Sequence, residues 1–273
     1  MSTLRSTFNQ ESEQPAEARA AAYALIAAGF RYPTSIPLEE LAAPALWDET
    51  LAPLMRGEGD LSDALRALRR AIDETGRDVA DEGRGRTVLE NQYAALFGHA
   101  VRGACPPYEL EYGPGEIVQR ASDLADIAGF YTAFGMELAA DSDRADHVTA
   151  QCEFMSLLCV KECVAAQDGW TDRVELCRTA QRSFLKDHLS RWLPAFAQRI
   201  CDHAASSFYA SLARLSRALI EAECGRFNLP AGPTQLALRP SDPERDTSIE
   251  CGPEDAGVPG SGNRLVPLNV ASP

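Results

Sequence analysis

The chain has 273 residues, 45% apolar and 24% charged, which is long enough for a sizeable core and ordinary for a soluble globular protein. Its formal net charge of −14 argues against nucleic acid and anionic membrane surfaces as main partners, since both bind through surplus Lys and Arg, and favours a basic peptide or basic protein patch. The longest uncharged apolar run near the N-terminus, Ala20–Phe30, has 11 residues and follows Glu11, Glu13 and Glu17, so neither a spanning helix nor a signal peptide is expected and the cytoplasm fits best.

In chain order, residues 1–14 are polar and read as a flexible N-terminus. Pro15 then suits the first position of a helix through EARAAAYALIAAGF, with Tyr23, Ile26 and Phe30 at core spacing. RYPTSIP ends it. Two short helices are expected around Leu38–Leu41 and Ala45–Met55. An amphipathic helix follows from Leu61 to Thr75, with Leu61, Leu65, Leu68 and Ile72 on one side and Gly76 as its stop. Thr87 and Glu90 form a capping-box pattern ahead of an apolar stripe of Leu89, Tyr93, Leu96 and Phe97, closed by Gly98. The prolines and glycines of ACPPYELEYGPG make a loop long enough to suggest a functional role.

Helical pattern resumes near Glu116 and runs to Gly135. After a polar break, a helix is expected from Arg144, capped by Ser142 or Asp143, then one from Thr171 or Asp172 to Leu185, one from Trp192 to His203 started by Pro194, and a last one ending at Gly225. No strand period stands out between residues 15 and 225. Beyond Phe227 lie eight of the 17 prolines and five glycines without an amphipathic run, the composition of a disordered or loosely docked tail. Its Cys251 and the apolar LVPLNV near the end have no obvious place. The predicted architecture is therefore all-α: one helical-bundle domain of about ten helices over residues 15–225, with a Pro/Gly-rich tail over 226–273.

Eight cysteines are scattered through the chain with no C-x-x-C pair, so neither a disulfide framework nor a zinc site has its spacing. Cys152 and Cys159 would lie about 10 Å apart along a helix axis, too far to share a metal, and Cys159 with Cys163 would supply only two ligands. Small buried hydrophobes are the simpler reading.

The most informative stretch is RADHVTAQCEFMSLLCVKE, Arg144–Glu162. At about 100° per residue, Asp146 and Glu153 project from nearly the same face of one helix, His147, Phe154 and Leu158 from a second, and Cys152, Ser156, Cys159 and Cys163 from a third. A helix covered on every side belongs in the middle of a bundle, where stacked carboxylates ask for a cation. Arg144, Arg173 or another helix's Arg would supply it internally; a basic ligand would supply it from outside. Catalysis fits poorly. Adjacent Asp146 and His147 diverge by about 100° and form no relay, and no nucleophile elbow, P-loop lysine or His-Glu-x-x-His is present. GVPGSG, Gly257–Gly262, lacks the preceding strand of a phosphate loop.

Three passages together resemble the TorD/DmsD/NarJ family of chaperones for molybdenum enzymes, over about residues 20–205. The first is YAALFG, Tyr93–Gly98, followed by CPPYELEY, Cys105–Tyr112; the second is DLADIAGFYTAFGMEL, Asp123–Leu138; the third is DRADHVTAQCEFM, Asp143–Met155. Two departures are Ala145, where the family usually has proline, and Leu110, where serine is common. The resemblance implies an all-helical, TorD-like, non-enzymatic maturation factor. It would bind the twin-arginine signal region of a catalytic subunit that carries bis-molybdopterin guanine dinucleotide, and itself hold no cofactor tightly. It would exist as monomer or homodimer, without nucleic acid or stable membrane association. Asp146 and Glu153 are then the candidates for the arginines, with His147 beside them, Glu109, Glu111 and Asp123 adding to the field, and Tyr93, Tyr108, Tyr112, Phe130, Tyr131, Phe134 and Phe154 supplying apolar contact. Length and tail look more like the chaperones of the type II dimethyl sulfoxide reductase group. A chaperone of the nitrate-reductase type, whose client stays in the cytoplasm, is the close alternative, and a helical scaffold without a role in cofactor assembly is the alternative of another class.

Overall fold

The computed structural model describes residues 14–80, 84–98, 102–114, 120–139, 144–204, 207–240 and 265–268. Among them run ten α-helices and one two-stranded ladder. The helices are α1 (Ala16–Gly29), α2 (Leu38–Leu41), α3 (Ala52–Met55), α4 (Asp60–Ala80), α5 (Arg84–Phe97), α6 (Arg120–Ala133), α7 (Val148–Gln167), α8 (Thr171–Phe184), α9 (Ser190–His203) and α10 (Ser207–Arg226). The strands are β1 (Met136–Leu138) and β2 (Leu265–Pro267). The all-α reading holds.

Burial orders the bundle. In α1 and α7 buried residues fall on nearly every side, as for helices enclosed by others, and α1 packs along α7 while α7 also packs on α8. The amphipathic α4 instead buries one stripe, Leu61, Leu65, Leu68 and Ile72, and lies on α10, which in turn packs on α9. One continuous core results.

Several boundaries differ from those expected, each for a local reason. The central helix starts at Val148 and not at Arg144: His147 has extended backbone and its Nδ1 accepts the Thr149 N–H at 3.1 Å, so histidine is the N-cap. Ser142 and Asp143 lie outside the described residues. For α8 the N-cap is Trp170, with no side-chain cap from Thr171 or Asp172. Gly76 does not stop α4, which runs on to Ala80. The left-handed residue after α10 is Asn228 (φ 52°), not Gly225, and the Leu229 N–H closes on the Cys224 carbonyl at 2.8 Å. Pro194 sits inside α9, whose first turn continues a π-turn at Leu185–Leu189.

The tail contributes more than its composition suggests. Residues 236–239 run beside the CPPYELEY loop: the Gly113 N–H donates to the Ala237 carbonyl at 2.9 Å and the Arg239 N–H to the Glu111 carbonyl at 2.8 Å. Pro194 has no N–H for the Ser190 carbonyl, and the Gly232 backbone fits closely against that oxygen. A Cβ on Gly232 would stand 1.6 Å from it. Further along, β2 pairs antiparallel with β1, Met136 opposite Pro267 and Leu138 opposite Leu265. Strand β1 corrects the expectation of no strand in the body. Its partner is more than a hundred residues away, and no local period announces such a pairing. Cys251 lies outside the described residues.

Candidate functional site

The loop between α5 and α6 is fastened to the start of α7 by its backbone. The Glu109 N–H donates to the Asp146 carbonyl at 3.0 Å, the Val148 N–H to the Pro107 carbonyl at 2.9 Å, and Tyr108 bridges His147. Asp146 completes the lock with its side chain. Fully buried, it accepts the Leu110 N–H at 3.0 Å and two bonds from the Arg144 guanidinium, at 2.6 and 2.9 Å. Its cation is thus internal, a bidentate partner of the strong kind. That guanidinium also lies 4.4 Å from the centre of the Tyr108 ring and 3.1 Å from Glu111. Glu111 meets Arg102 and Arg120 as well, at 3.2 and 3.4 Å. His147 is buried against Tyr108, and burial together with Arg144 pushes its imidazole down to about 3, leaving it neutral at physiological pH.

The stacked acidic pair is therefore not formed. Asp146 precedes the helix instead of sharing a face with Glu153, because the histidine cap turns the chain one residue after it. Glu153, on α7, is bound separately, by Arg31 from the end of α1 at 2.7 Å and by the Leu265 N–H of β2 at 2.7 Å. The internal-arginine alternative describes both carboxylates.

Glu109 lies differently. Gln151 on α7, itself fixed by the Trp192 indole N–H at 3.0 Å, donates to one Glu109 oxygen at 2.5 Å, and His188 Nδ1 stands 3.3 Å from the other. The far side of that imidazole faces Asp126 at 3.6 Å, and Asp126 is 70% exposed. Together these groups border a cleft of about 460 Å³ between the loop, α6, the π-turn before α9 and the docked tail. Glu109, Asp123, Asp126 and Asp187 give it four carboxylates against the guanidinium groups of Arg191 and Arg239; Leu110, Tyr112, Trp192, Pro233 and Leu236 give it apolar wall. A concave, acidic and partly greasy surface of this size suits a guanidinium carried on an extended peptide. A wider cavity of about 700 Å³ runs along Pro53–Ser62 and Ala218–Ala222, and none of the candidate residues borders it.

Of the residues picked from the sequence, Glu109, Tyr112 and Asp123 border the cleft, and Asp146, His147 and Tyr108 form the lock behind it. The aromatics are mostly core. Phe154 is fully buried, with Tyr131, Phe134 and Phe184 at ring distances of 5.0, 5.8 and 4.8 Å. Phe130 packs on Phe184 and His188, and the Tyr131 hydroxyl donates to the Ala145 carbonyl at 2.7 Å. Tyr93 lies among Tyr32, Phe97 and Tyr209, away from the cleft lining. Sequence reading missed Asp126, Asp187, His188, Gln151 and Trp192. Asp123 and Asp126 do share a helix face three positions apart, but the facing Asp187–His188 pair comes from a remote turn that no local pattern points to.

Comparison with known proteins agrees with the architecture. Residues 58–198, just over half of the chain, match the family model described as nitrate reductase delta subunit. The chlorate reductase assembly chaperone protein of Ideonella dechloratans is 32% identical over 160 residues, covering 58% of this chain and 78% of that protein. The selenate reductase assembly chaperone protein of Thauera selenatis is 32% identical over 154 residues, 56% and 77% of the two chains. Chaperone protein TorD of Vibrio cholerae serotype O1 (strain M66-2) is 24% identical over 168 residues, 61% and 74% of the two chains. No solved structure matches significantly. With the loop, the capped central helix and the bundle around them in place, the chain belongs to the nitrate reductase delta subunit family, the family of the TorD and NarJ chaperones.

Proposed function

We propose that this protein is a maturation chaperone for a molybdopterin-containing reductase or dehydrogenase, and that it holds the paired arginines of the client's N-terminal twin-arginine region in the acidic cleft while folding and cofactor insertion proceed. The observation that carries this reading is the division of labour among the acids: Asp146 and Glu153 already have internal arginines, while Asp123, Asp126 and Asp187 look into a cleft walled by Tyr112 and Trp192. A guanidinium there gains charge-assisted hydrogen bonds in a partly desolvated site, and the apolar stretch behind the arginines gains cover from the cleft wall. The role is binding and retention before export, with no bond made or broken by the chaperone. The names of the relatives, assembly chaperones for chlorate and selenate reductases, support a reductase as client.

The test uses a synthetic peptide with an Arg-Arg pair followed by a Leu/Ala-rich stretch, against the same peptide with Lys-Lys or Ala-Ala. The expected order is Arg-Arg over Lys-Lys over Ala-Ala, since only guanidinium pairs with carboxylate in a fork. Asp126→Asn with Asp187→Asn should weaken the Arg-Arg complex at least tenfold with helicity intact. Equal binding of the three peptides, or no effect of the double variant, defeats the assignment. The delta-subunit match favours a second reading, a client that stays in the cytoplasm; under it a client N-terminal segment without paired arginines binds as well as one with them.

A further inference from the structure

Strand β2 makes a small attachment. Three residues pair with β1, the Leu268 N–H reaches the Gly135 carbonyl at 2.9 Å, and the Leu265 N–H is received by Glu153 at 2.7 Å. The apolar side chains Met136 and Leu138 on one strand and Leu265 on the other pack against the core, so the floor of the contact is greasy and its rim is a carboxylate. A lone pair of three-residue strands is marginal in water, and the edge that β1 presents to β2 carries ladder groups that another extended chain could pair with in its place. We propose that the β1 edge, with Glu153 at its end, is a docking groove for an extended apolar peptide, and that residues 265–268 are a resident self-ligand which the apolar part of the client leader displaces. The proposal rests on the client reading above and adds a second contact to it.

Chemistry and chain connection favour displacement over permanent closure. The self-ligand reads Leu-Val-Pro-Leu, an apolar extended run like the stretch that follows paired arginines, so the groove already holds a mimic of what it is proposed to receive. Because the Leu268 N–H is the one that reaches the Gly135 carbonyl, ladder alternation turns only the N–H groups of Val266 and Leu268 toward β1, so few bonds hold the resident strand. It is joined to the body at Pro240 through 24 residues. When residue 265 leaves, one Glu153 oxygen loses its donor while Arg31 keeps the other. The carboxylate is then ready to receive a backbone N–H from the incoming peptide.

The experiment compares the full chain with Leu265→Asp, which sets a carboxylate beside Glu153 and takes an apolar side chain off the core without altering the body. Two probes are titrated by fluorescence anisotropy: labelled LVPLNV, and the Arg-Arg leader peptide described above. Leu265→Asp is expected to capture LVPLNV where the parent chain does not, and to bind the leader at least tenfold more tightly, with circular dichroism unchanged. Failure of the variant to capture LVPLNV, or measurable leader binding of equal affinity in the two proteins, overturns the self-ligand. If neither protein binds the leader while the variant still captures LVPLNV, the groove stands and it is the client reading that fails.

Discussion

Around Arg19, the helices α1, α7, α8 and α10 carry their charges into the core together with their partners; around Glu109, a loop, a turn and α6 leave carboxylates facing a cleft. Arg19 is fully buried and lies 2.8 Å from Glu162, 3.7 Å from Glu223 and 2.9 Å from Gln181, while Arg178 and Arg226 reach the other Glu162 oxygen at 2.7 and 3.2 Å. Each carboxylate here already faces an arginine of the fold's own. In the cleft, Asp126 and Asp187 are 70% and 48% exposed, and Asp187 meets the exposed Lys186 at 3.4 Å. Acidity alone does not make a site. What separates the two regions is whether the cation is built into the fold or left to come from outside.

Removing Arg19 should have the largest effect. Arg19→Met strands the buried Glu223, takes one of three arginines from Glu162 and is expected to cost about 3–5 kcal/mol of unfolding free energy in urea, while leader affinity per folded molecule stays the same. A loss of affinity would mean that the two regions are not separate. Asp146→Asn should cost roughly 1.5–3 kcal/mol, the range for hydrogen bonds to a charged group, since Arg144 keeps some contact with water. Faster amide exchange at Leu110, with α10 unaffected, would place the damage in the loop.

Acid and base titrate the two regions in opposite directions. Burial holds the Glu223 carboxyl up at about 7, against 4.5 for an ordinary glutamate, with Arg19 opposing. Between those values the folded chain keeps a proton that the unfolded chain gives up, so stability falls as pH rises through the window, on the order of 3 kcal/mol in all. Glu223→Gln should flatten that slope in a series of urea titrations. His147 behaves in reverse. The unfolded chain takes a proton below 6.5 that the folded chain refuses until about 3, so stability is lost as pH falls, and His147→Asn, which keeps a capping side chain, should remove that acid limb. A smaller effect, about 1 kcal/mol, is expected from Gly232→Ala, because the tail must lift from the Ser190 carbonyl. The cleft then loses Pro233, Leu236 and Arg239 from its wall, and leader affinity should fall even though the bundle melts almost as before.

The bundle itself was written in local pattern: the 3.6-residue stripe of α4, the all-round apolar surface of α7, and the Gly98 and Gly135 stops, both of which have positive φ. The loop was legible from its prolines, and its likeness to a family motif marked Glu109, Asp146 and His147 as worth attention. Their roles were not. Whether Asp146 faced a ligand or Arg144 depended on a histidine cap and a two-residue turn, and whether Arg19 was exposed depended on three helices far along the chain. Periodicity assigns a side chain to a face of its own helix and says nothing of what covers that face. Helix formation is a matter of neighbours in sequence, so composition and spacing determined the all-α class. Neutralisation of a buried charge and pairing of a strand are matters of neighbours in space, and only the packed tertiary structure decided which acids were closed, which stayed open, and where Leu265–Pro267 came to rest.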